Sequence, residues 1–176
     1  MHELFFLLSF LLLFQVKHYM ADYRLQNEYM LRKFELNANE WVPALLLHSF
    51  VHGSLTVVIS CLFIWIKSLM VTEVMQESYQ PDYNLSIWLG LFDMVVHFAV
   101  DRWKASPHYA GKYRSLSKKE FIKIKQELSR STDPMYTKHL LDRINSNREF
   151  WLAVGWDQFL HHCTHYIILA ILIIYG

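Results

Sequence analysis

The chain is poor in the residues that break helices or cross-link chains: its 176 residues include 5 glycines, 4 prolines and 2 cysteines. The glycines are scattered, so the sequence lacks a glycine-rich phosphate-binding loop, and it also lacks internal repeats and low-complexity tracts. Cys61 and Cys163 both lie inside apolar segments, which argues against a disulfide framework. The net charge of +1 gives no support for binding to nucleic acid. These absences point away from nucleotide-binding, disulfide-rich and nucleic-acid-binding proteins.

Apolar residues are what the sequence has in excess. Hydrophobic residues make up 53% of the chain and aromatic residues 16%, which is unusual for a soluble domain. Helices and closed barrels are the only structures that span a bilayer, and these apolar runs are too long for barrel strands. We therefore predict a single membrane domain, 1–176, with an all-α fold: a polytopic bundle of four transmembrane helices at about 4–22, 41–66, 86–103 and 149–175.

The first apolar run, 4–16, could be mistaken for a secretion signal. A signal peptide carries its positive charge before the apolar region and has small residues at a cleavage site. Here Lys17 and Arg24 follow the run, and no such site is present. We expect a transmembrane helix, followed by a short interfacial helix within 23–40. Pro43 is expected in the first turn of the second span.

One long hydrophilic insertion, 104–148, separates the third and fourth predicted spans. Ser117 and Glu120 form a capping-box pattern that predicts the start of a helix. Asp133 and Pro134 predict the start of a second one. We expect two amphipathic helices that lie on the membrane surface or fold over the bundle, with the last span beginning near Glu149.

Positive charge is distributed unevenly between the links. All but one of the 17 lysines and arginines lie within 17–40 and 102–148, which are on the same side of a four-span protein. The exception, Lys67, lies on the other side. The positive-inside rule predicts that the insertion is cytoplasmic and that both termini face outward. The expected location is the inner (plasma) membrane of the cell.

Ionisable residues recur at four-residue spacing inside the predicted spans, which places them on one face of each helix. Such residues are costly in lipid and are usually functional. By the helical rise, the pairs in spans two, three and four lie roughly 9 to 18 Å from the predicted cytoplasmic end, so they are level with one another. The residues are His18 and Asp22; His48 and His52; Asp93, His97 and Asp101; and Asp157 and His161.

Imidazole and carboxylate groups on facing helices are the ligand set of a metal site in a helix bundle. We predict one or two divalent transition-metal ions, with zinc favoured over iron or manganese. A hydrogen-bonded proton or ion relay without metal, and purely structural polar packing, are the alternatives. His52 and Asp93 are predicted as further ligands or as the general base. The predicted metal ligands are His18, Asp22, His48, His97, Asp101, Asp157 and His161.

A metal ion lowers the pKa of its bound water, which supplies a nucleophile near neutral pH. The predicted function is therefore an intramembrane metal-dependent hydrolase that acts near the cytoplasmic leaflet on an amphiphilic ester, amide or phosphoester. A protein that binds or transports a metal ion or proton is the alternative. Outer halves of the spans, such as 167–174, are apolar, which favours a one-sided site over a through-path. The lipid bilayer is the expected partner, nucleic acid is not, and a homo-oligomer is left open.

The other polar residues near the predicted site have weaker expected roles. His162 points about 100° away from His161 on a helix, so we expect it to pack elsewhere. His165 lies deeper and is expected to be a ligand or to support one. Lys33 and Lys104 lie at the predicted cytoplasmic mouth and are interpreted as interface anchors.

Five ordered motifs run through the spans: His18-x-x-x-Asp22-Tyr-x-Leu-Gln26, Lys33, His48-x-x-x-His52, His97-x-x-x-Asp101-x-x-Lys104 and Asp157-Gln158-x-x-His161. They resemble the motifs of a family of small bacterial and phage inner-membrane proteins that is defined as a domain of unknown function. The resemblance covers roughly 14–165 without the insertion, and it implies a four-span membrane protein and no established activity. In motif style the chain is also distantly similar to inner-membrane proteins described as metal-dependent hydrolases and to alkaline-ceramidase-like enzymes, which have a His/Asp zinc site among transmembrane helices.

Overall fold

The computed structural model describes residues 2–70 and 80–176, and the regular structure of these residues is entirely helical. Four of its segments are long and apolar enough to cross a membrane: Leu4–Arg24, Ala38–Met70, Tyr83–Lys112 and Pro134–Tyr175. The predicted all-α bundle of four spans is confirmed. The α-helices are α1 His2–Tyr19, α2 Ala38–Met70, α3 Tyr83–Ala105, α4 Lys118–Arg130 and α5 Pro134–Tyr175.

Short, tight elements connect α1 to α2. α1 continues into a π-helical turn, Met20–Arg24, which carries Asp22. The interfacial helix predicted within 23–40 is a 3₁₀ turn, Met30–Phe34, and its Lys33 side chain is buried. The turn Met30–Phe34 therefore packs against the bundle and does not lie apart from it at the membrane surface.

α2 begins earlier than predicted, and α3 begins at a side-chain cap. Pro43 was predicted in the first turn of the second span, but α2 begins at Ala38, so Pro43 lies inside the helix. The link 67–85, between the second and third predicted spans, lies partly outside the described residues. At its end, the Asp82 carboxylate accepts a hydrogen bond from the Asn84 N–H (2.9 Å) and caps α3.

The capping box predicted at Ser117 is present at the start of α4. The Ser117 Oγ accepts a hydrogen bond from the Glu120 N–H (3.3 Å). The Ser117 hydroxyl (2.7 Å) and N–H (2.9 Å) both donate to the Glu120 carboxylate. These bonds favour the charged carboxylate and hold the pKa of Glu120 below its ordinary value. α4 packs against α5, and Ile124 and Leu140 are buried.

The expected break between a second insertion helix and the last span is absent. α5 is one helix of 42 residues, about 63 Å long, which is about twice the thickness of the hydrocarbon core. After Pro134 at its start, the helix contains only one helix-breaking residue, Gly155. The change in hydropathy near Glu149 does not coincide with a helix end. The prediction of a separate helix was wrong because hydropathy reports the solvent around a helix and not its continuity.

α2 and α3 are in the closest contact in the bundle, and two glycines allow it. A Cβ atom at Gly53 would lie 2.7 Å from the Gly90 carbonyl oxygen, and one at Gly90 would lie 2.4 Å from Val57 Cγ2. Small residues at such a crossing let helix backbones approach each other closely. This approach brings His52, which neighbours Gly53, to a ring-centroid distance of 3.5 Å from His97.

Apolar and polar residues fill different levels of the bundle. Aromatic rings of α1 and α2 pack edge to face in the apolar level, as with Phe10 and Phe63 at 5.0 Å. The polar level contains the histidines and aspartates described below. Apolar side chains therefore fill the core of the bundle at this level. The buried apolar cluster consists of Phe10, Phe14, Ile59, Phe63, Ile64, Leu89, Ile168, Leu169 and Leu172.

Candidate metal centre

All four long helical segments contribute ionisable side chains to one buried cluster. Its members fall into three groups, and within each group one donor atom per residue lies within 4.8 Å of the others. Side chains on facing helices are how bundle cores hold metal ions. The groups are His18, Asp22, His52 and His97; His48, His97 and Asp101; and Asp101, Asp157 and His161.

The first group is centred on Asp22, which the π-helical turn after α1 directs into the bundle. The Asp22 Oδ1 atom lies 3.1 Å from His52 Nε2 and 3.3 Å from His48 Nε2. Its other oxygen, Oδ2, lies 3.3 Å from His18 Nε2. His97 Nε2 is 3.8 Å from Oδ1. The Nε2 atoms of four imidazoles thus face the Asp22 carboxylate: the three of the first group and that of His48 from the second.

The third group, Asp101, Asp157 and His161, joins α3 to α5. His161 Nε2 lies 3.6 Å from Asp101 Oδ1 and 3.5 Å from Asp157 Oδ1. The Oδ2 atoms of the two carboxylates accept hydrogen bonds from Lys33 (2.6 Å) and Lys104 (2.6 Å). Each lysine therefore leaves the Oδ1 atom of its partner free to face the imidazole. Asp157 Oδ1 is buried and makes no hydrogen bond.

Asp101 and His97, which both belong to the second group, connect the first group to the third. The Asp101 Oδ2 atom lies 3.2 Å from His48 Nε2, while Oδ1 faces His161. The His97 ring stacks between the rings of His52 and His161, at centroid distances of 3.5 and 3.9 Å. The Asp101 carboxylate therefore contacts histidines of the second and third groups.

The nitrogen–oxygen distances within the cluster are mostly too long for hydrogen bonds and are close to those between the ligands of one metal ion. Hydrogen bonds from N–H to oxygen span about 2.7 to 3.2 Å, whereas most of these nitrogen–oxygen distances lie between 3.2 and 3.8 Å. In a tetrahedral zinc site with bonds of about 2.0–2.1 Å, neighbouring ligand atoms are about 3.3 to 3.4 Å apart. The Nε2 atoms of His18, His48, His97 and His161 are buried without a hydrogen-bond partner.

Charge in the cluster also favours a cation. Three buried aspartates are each paired with a lysine: Asp93 with Lys17, Asp101 with Lys33 and Asp157 with Lys104. Asp22 has no lysine or arginine at salt-bridge distance in the described part of the chain. An uncompensated charge in a buried site is costly. A divalent cation next to Asp22 would remove that cost.

The structure brings all seven predicted metal ligands into these groups, together with His52, which was predicted as a ligand or base. Asp93 belongs to none of the groups. Its carboxylate contacts the Lys17 ammonium and accepts a hydrogen bond from the Thr56 hydroxyl (2.6 Å). Asp93 therefore lies in an ion pair beside the cluster and is not one of the grouped candidate ligands, while its role as general base stays a prediction.

The lysines are what the sequence interpretation missed. Lys33 is 4% exposed and ion-paired with Asp101, so its interpretation as an interface anchor was wrong. Lys104 pairs with Asp157 and has 24% of its side chain exposed. Lys17, placed between Val16 and His18 in an apolar run, was the detectable sign of a buried cation.

Two histidines of α5 that follow His161, His162 and His165, lie outside the three groups. His165 is buried, stacks on Phe14 at 5.4 Å and has its Nε2 atom 3.4 Å from Lys17 Nζ. It therefore belongs with the Lys17–Asp93 pair. His162 is half-buried, and its ring centroid lies 5.8 Å from that of His18. It thus lies beside a predicted ligand, although it is in none of the three groups.

Comparison of the chain with protein-family models, with curated proteins and with solved structures gives no match. The resemblance to a family of small inner-membrane proteins therefore stays a prediction. The class follows from the fold and the site themselves. The chain is a multi-pass α-helical membrane protein whose buried histidine and aspartate groups could hold a metal ion.

Proposed function

We propose that the protein is an intramembrane metal-dependent hydrolase. The observation that carries the proposal is the three-residue group of Asp101, Asp157 and His161. Catalytic zinc sites use three protein ligands and keep a further position for water or substrate, whereas structural sites are closed by four. The group of His18, Asp22, His52 and His97 offers four residues, so it suits a second, structural ion.

The residues of the chain have distinct roles in this proposal. A bound divalent ion supplies water activated as a nucleophile and polarises the bond to be cleaved. Lys33 and Lys104 hold the Oδ2 atoms of Asp101 and Asp157, which fixes the Oδ1 atoms toward His161. His48 and His97 connect this group to the Asp22 group. Zinc fits the nitrogen and oxygen donors best, with iron or manganese as alternatives.

A metal or proton transporter is the competing function, and the packing argues against it. A transport path needs polar groups along its whole length. The aromatic and aliphatic cluster around Phe14, Phe63 and Leu172 fills the bundle at the level next to the polar one. The same donors therefore fit a site reached from one side of the membrane.

We propose further that this side is the cytoplasm. All but one of the 17 lysines and arginines lie in links on the same side of the bundle. A reporter that works only outside the cytoplasm, fused after Gly176, is expected to be active. The same reporter inserted between α4 and α5, at Thr132, is expected to be silent. The reverse pattern would show that the site opens to the outside.

Metal content and activity are expected to rise and fall together. Protein purified without chelator should contain one to two equivalents of a transition metal by elemental analysis, and it should cleave an amphiphilic ester or phosphoester probe in detergent. Chelator should remove both, and zinc should restore both. Less than about 0.2 equivalents of any transition metal would remove the basis of the proposal, because the group of Asp101, Asp157 and His161 is catalytic only with an ion.

A further inference from the structure

The three-residue group carries no net charge of its own. Lys33 donates a hydrogen bond to Asp101 and Lys104 donates one to Asp157, each over 2.6 Å. Histidine binds metal in its neutral form, so the two carboxylates and the two ammonium groups cancel. The side chains of Lys33, Asp101 and Asp157 are at most 5% exposed. The charge of a divalent ion bound here is therefore left without compensation.

The group around Asp22 is different. Asp22 has no lysine or arginine at salt-bridge distance among the residues that the structure describes, so this group has one negative charge. A divalent ion there leaves one positive charge, whereas an ion beside Asp101 and Asp157 leaves two. Because an uncompensated charge in a buried site is costly, the ion of the three-residue group needs negative charge from outside the chain.

Two lysines beside two of three ligands are unfavourable for a plain metal site, because each ammonium group repels the ion. Lys33 and Lys104 reach the group from different elements, the 3₁₀ turn Met30–Phe34 and the end of α3. Both lysines fit the site once the ion also binds a negatively charged ligand. Their charge then sets the sign of the ligand that the ion accepts.

The fourth ligand position is where such a ligand can bind. A catalytic zinc site with three protein ligands keeps this position for water or substrate. Asp157 Oδ1 and His161 Nε2 lie 3.5 Å apart, and both are buried without a hydrogen-bond partner, as expected of ligand atoms. Lys104 contacts Asp157 and keeps 24% of its side chain exposed, so this side of the group lies near the protein surface.

We propose that the fourth ligand is an anionic phosphoryl oxygen and that the substrate is a phosphoester. This inference rests on the proposed function, for which it narrows the substrate class. Esters and amides present a neutral carbonyl oxygen to the ion, whereas a phosphoester presents an ionised one. In the hydrolysis, the oxygen of water adds to phosphorus, the bond from phosphorus to the oxygen of the leaving alcohol breaks, and one proton of the water passes to that alcohol.

Titration of the detergent-solubilised protein with zinc, against a fluorescent zinc chelator, tests the proposal. The probe is methyl methylphosphonate, a monoanion that resembles a phosphodiester. The control is dimethyl methylphosphonate, which has a phosphoryl oxygen but no charge. The monoanion should tighten binding of the weaker zinc ion about tenfold, within the range of about 5- to 150-fold that coupled sites show. The neutral compound should leave both zinc affinities unchanged.

Variants of single ligands locate the coupled ion. Among the three groups, His161 belongs only to the three-residue group and His52 only to the group around Asp22. His161→Ala should abolish the tightening by the monoanion, whereas His52→Ala should retain it. The opposite pattern would place the anion beside Asp22 and overturn the proposal.

Lys104→Met tests the charge argument. Without the ammonium group, the Asp157 carboxylate balances one charge of the ion, so zinc should bind more tightly in the absence of the probe. The tightening by the monoanion should fall from about tenfold to about threefold, because one of two uncompensated charges is gone. Weaker zinc binding with undiminished tightening would show that Lys104 only positions Asp157.

Lys112→Met is the matched control, because it removes an exposed lysine whose ammonium group faces the ring of Tyr113 at 5.3 Å. It should change neither the zinc affinities nor the tightening. If Lys104→Met does not fold, Lys33→Met removes the other ammonium group of the site and is expected to give the same result.

Equal tightening by the charged and the neutral compound, or none by either, would overturn the phosphoester inference. Turnover measured on the same preparation separates this inference from the proposed function. A protein that binds zinc and cleaves a carboxylic ester without any tightening keeps the hydrolase and loses the inference. Tightening in a protein that cleaves neither carboxylic esters nor phosphoesters keeps the anion-binding metal site and removes the hydrolase.

Discussion

His161→Ala is expected to lose bound metal and hydrolytic activity together while the chain still inserts into the membrane. His161 supplies the only nitrogen of the three-residue group, and its Nε2 atom faces the Oδ1 atoms of Asp101 and Asp157. Loss of a residue that merely supports a ligand lowers metal affinity about 10- to 100-fold, so loss of the ligand should cost at least about 100-fold. Insertion is retained because the four apolar segments are unchanged.

The measurement is elemental analysis and turnover of an amphiphilic ester on the same preparation. His162→Ala is the matched control, because His162 is adjacent in sequence, half-buried and outside all three groups. It should keep metal and activity. Full metal content in His161→Ala combined with loss of metal in His162→Ala would show that the ligand face of α5 is assigned to the wrong histidine.

Lys17→Met is expected to destabilise the protein by about 3–5 kcal/mol, the usual cost of removing one partner of a buried ion pair. The side chains of Lys17 and Asp93 are 2% and 1% exposed. After the substitution the Asp93 carboxylate keeps only the hydrogen bond from the Thr56 hydroxyl. Unfolding in mixed micelles at increasing fractions of sodium dodecyl sulfate measures the change.

The double variant Lys17→Met/Asp93→Asn should recover most of the lost stability, because it removes the buried charge as well. Its metal content is expected to match that of the unchanged protein, since Asp93 belongs to none of the three groups. A single variant of normal stability would show that the pair does not hold the helices together. A stable, metal-replete double variant without activity would support the predicted role of Asp93 as general base.

The residues of the buried cluster were predictable because their spacing within each helix is local. His48 and His52, or Asp157 and His161, lie on one helix face by their spacing alone, and the distance along each helix placed them at one level. The burial of an ionisable residue inside an apolar run is likewise visible in sequence. Spacing of this kind does not depend on neighbouring helices, so it needs no tertiary information.

Asp93 shows where this reasoning stops. It shares its four-residue spacing with His97 and Asp101, but its carboxylate meets Lys17 and the Thr56 hydroxyl. The Asp101 carboxylate, in contrast, also faces the imidazoles of His48 and His161. Lys33 was misinterpreted for the same reason, since its partner Asp101 lies 68 residues away in the chain. The continuity of α5 past Glu149 was missed because hydropathy changes there and backbone geometry does not.

The sequence by itself determined the class of protein, the number of spans and the residue types of the cluster. Each of these depends on composition or on the period of a single helix. The tertiary structure decided which carboxylates meet lysines, which face imidazoles, and how the donors divide into groups of three and four. Those contacts depend on the rotation and axial offset of neighbouring helices. The packing of whole interfaces sets the rotation and the axial offset, and the contact of Gly53 with Gly90 is an example between α2 and α3. No single segment of the sequence contains that information.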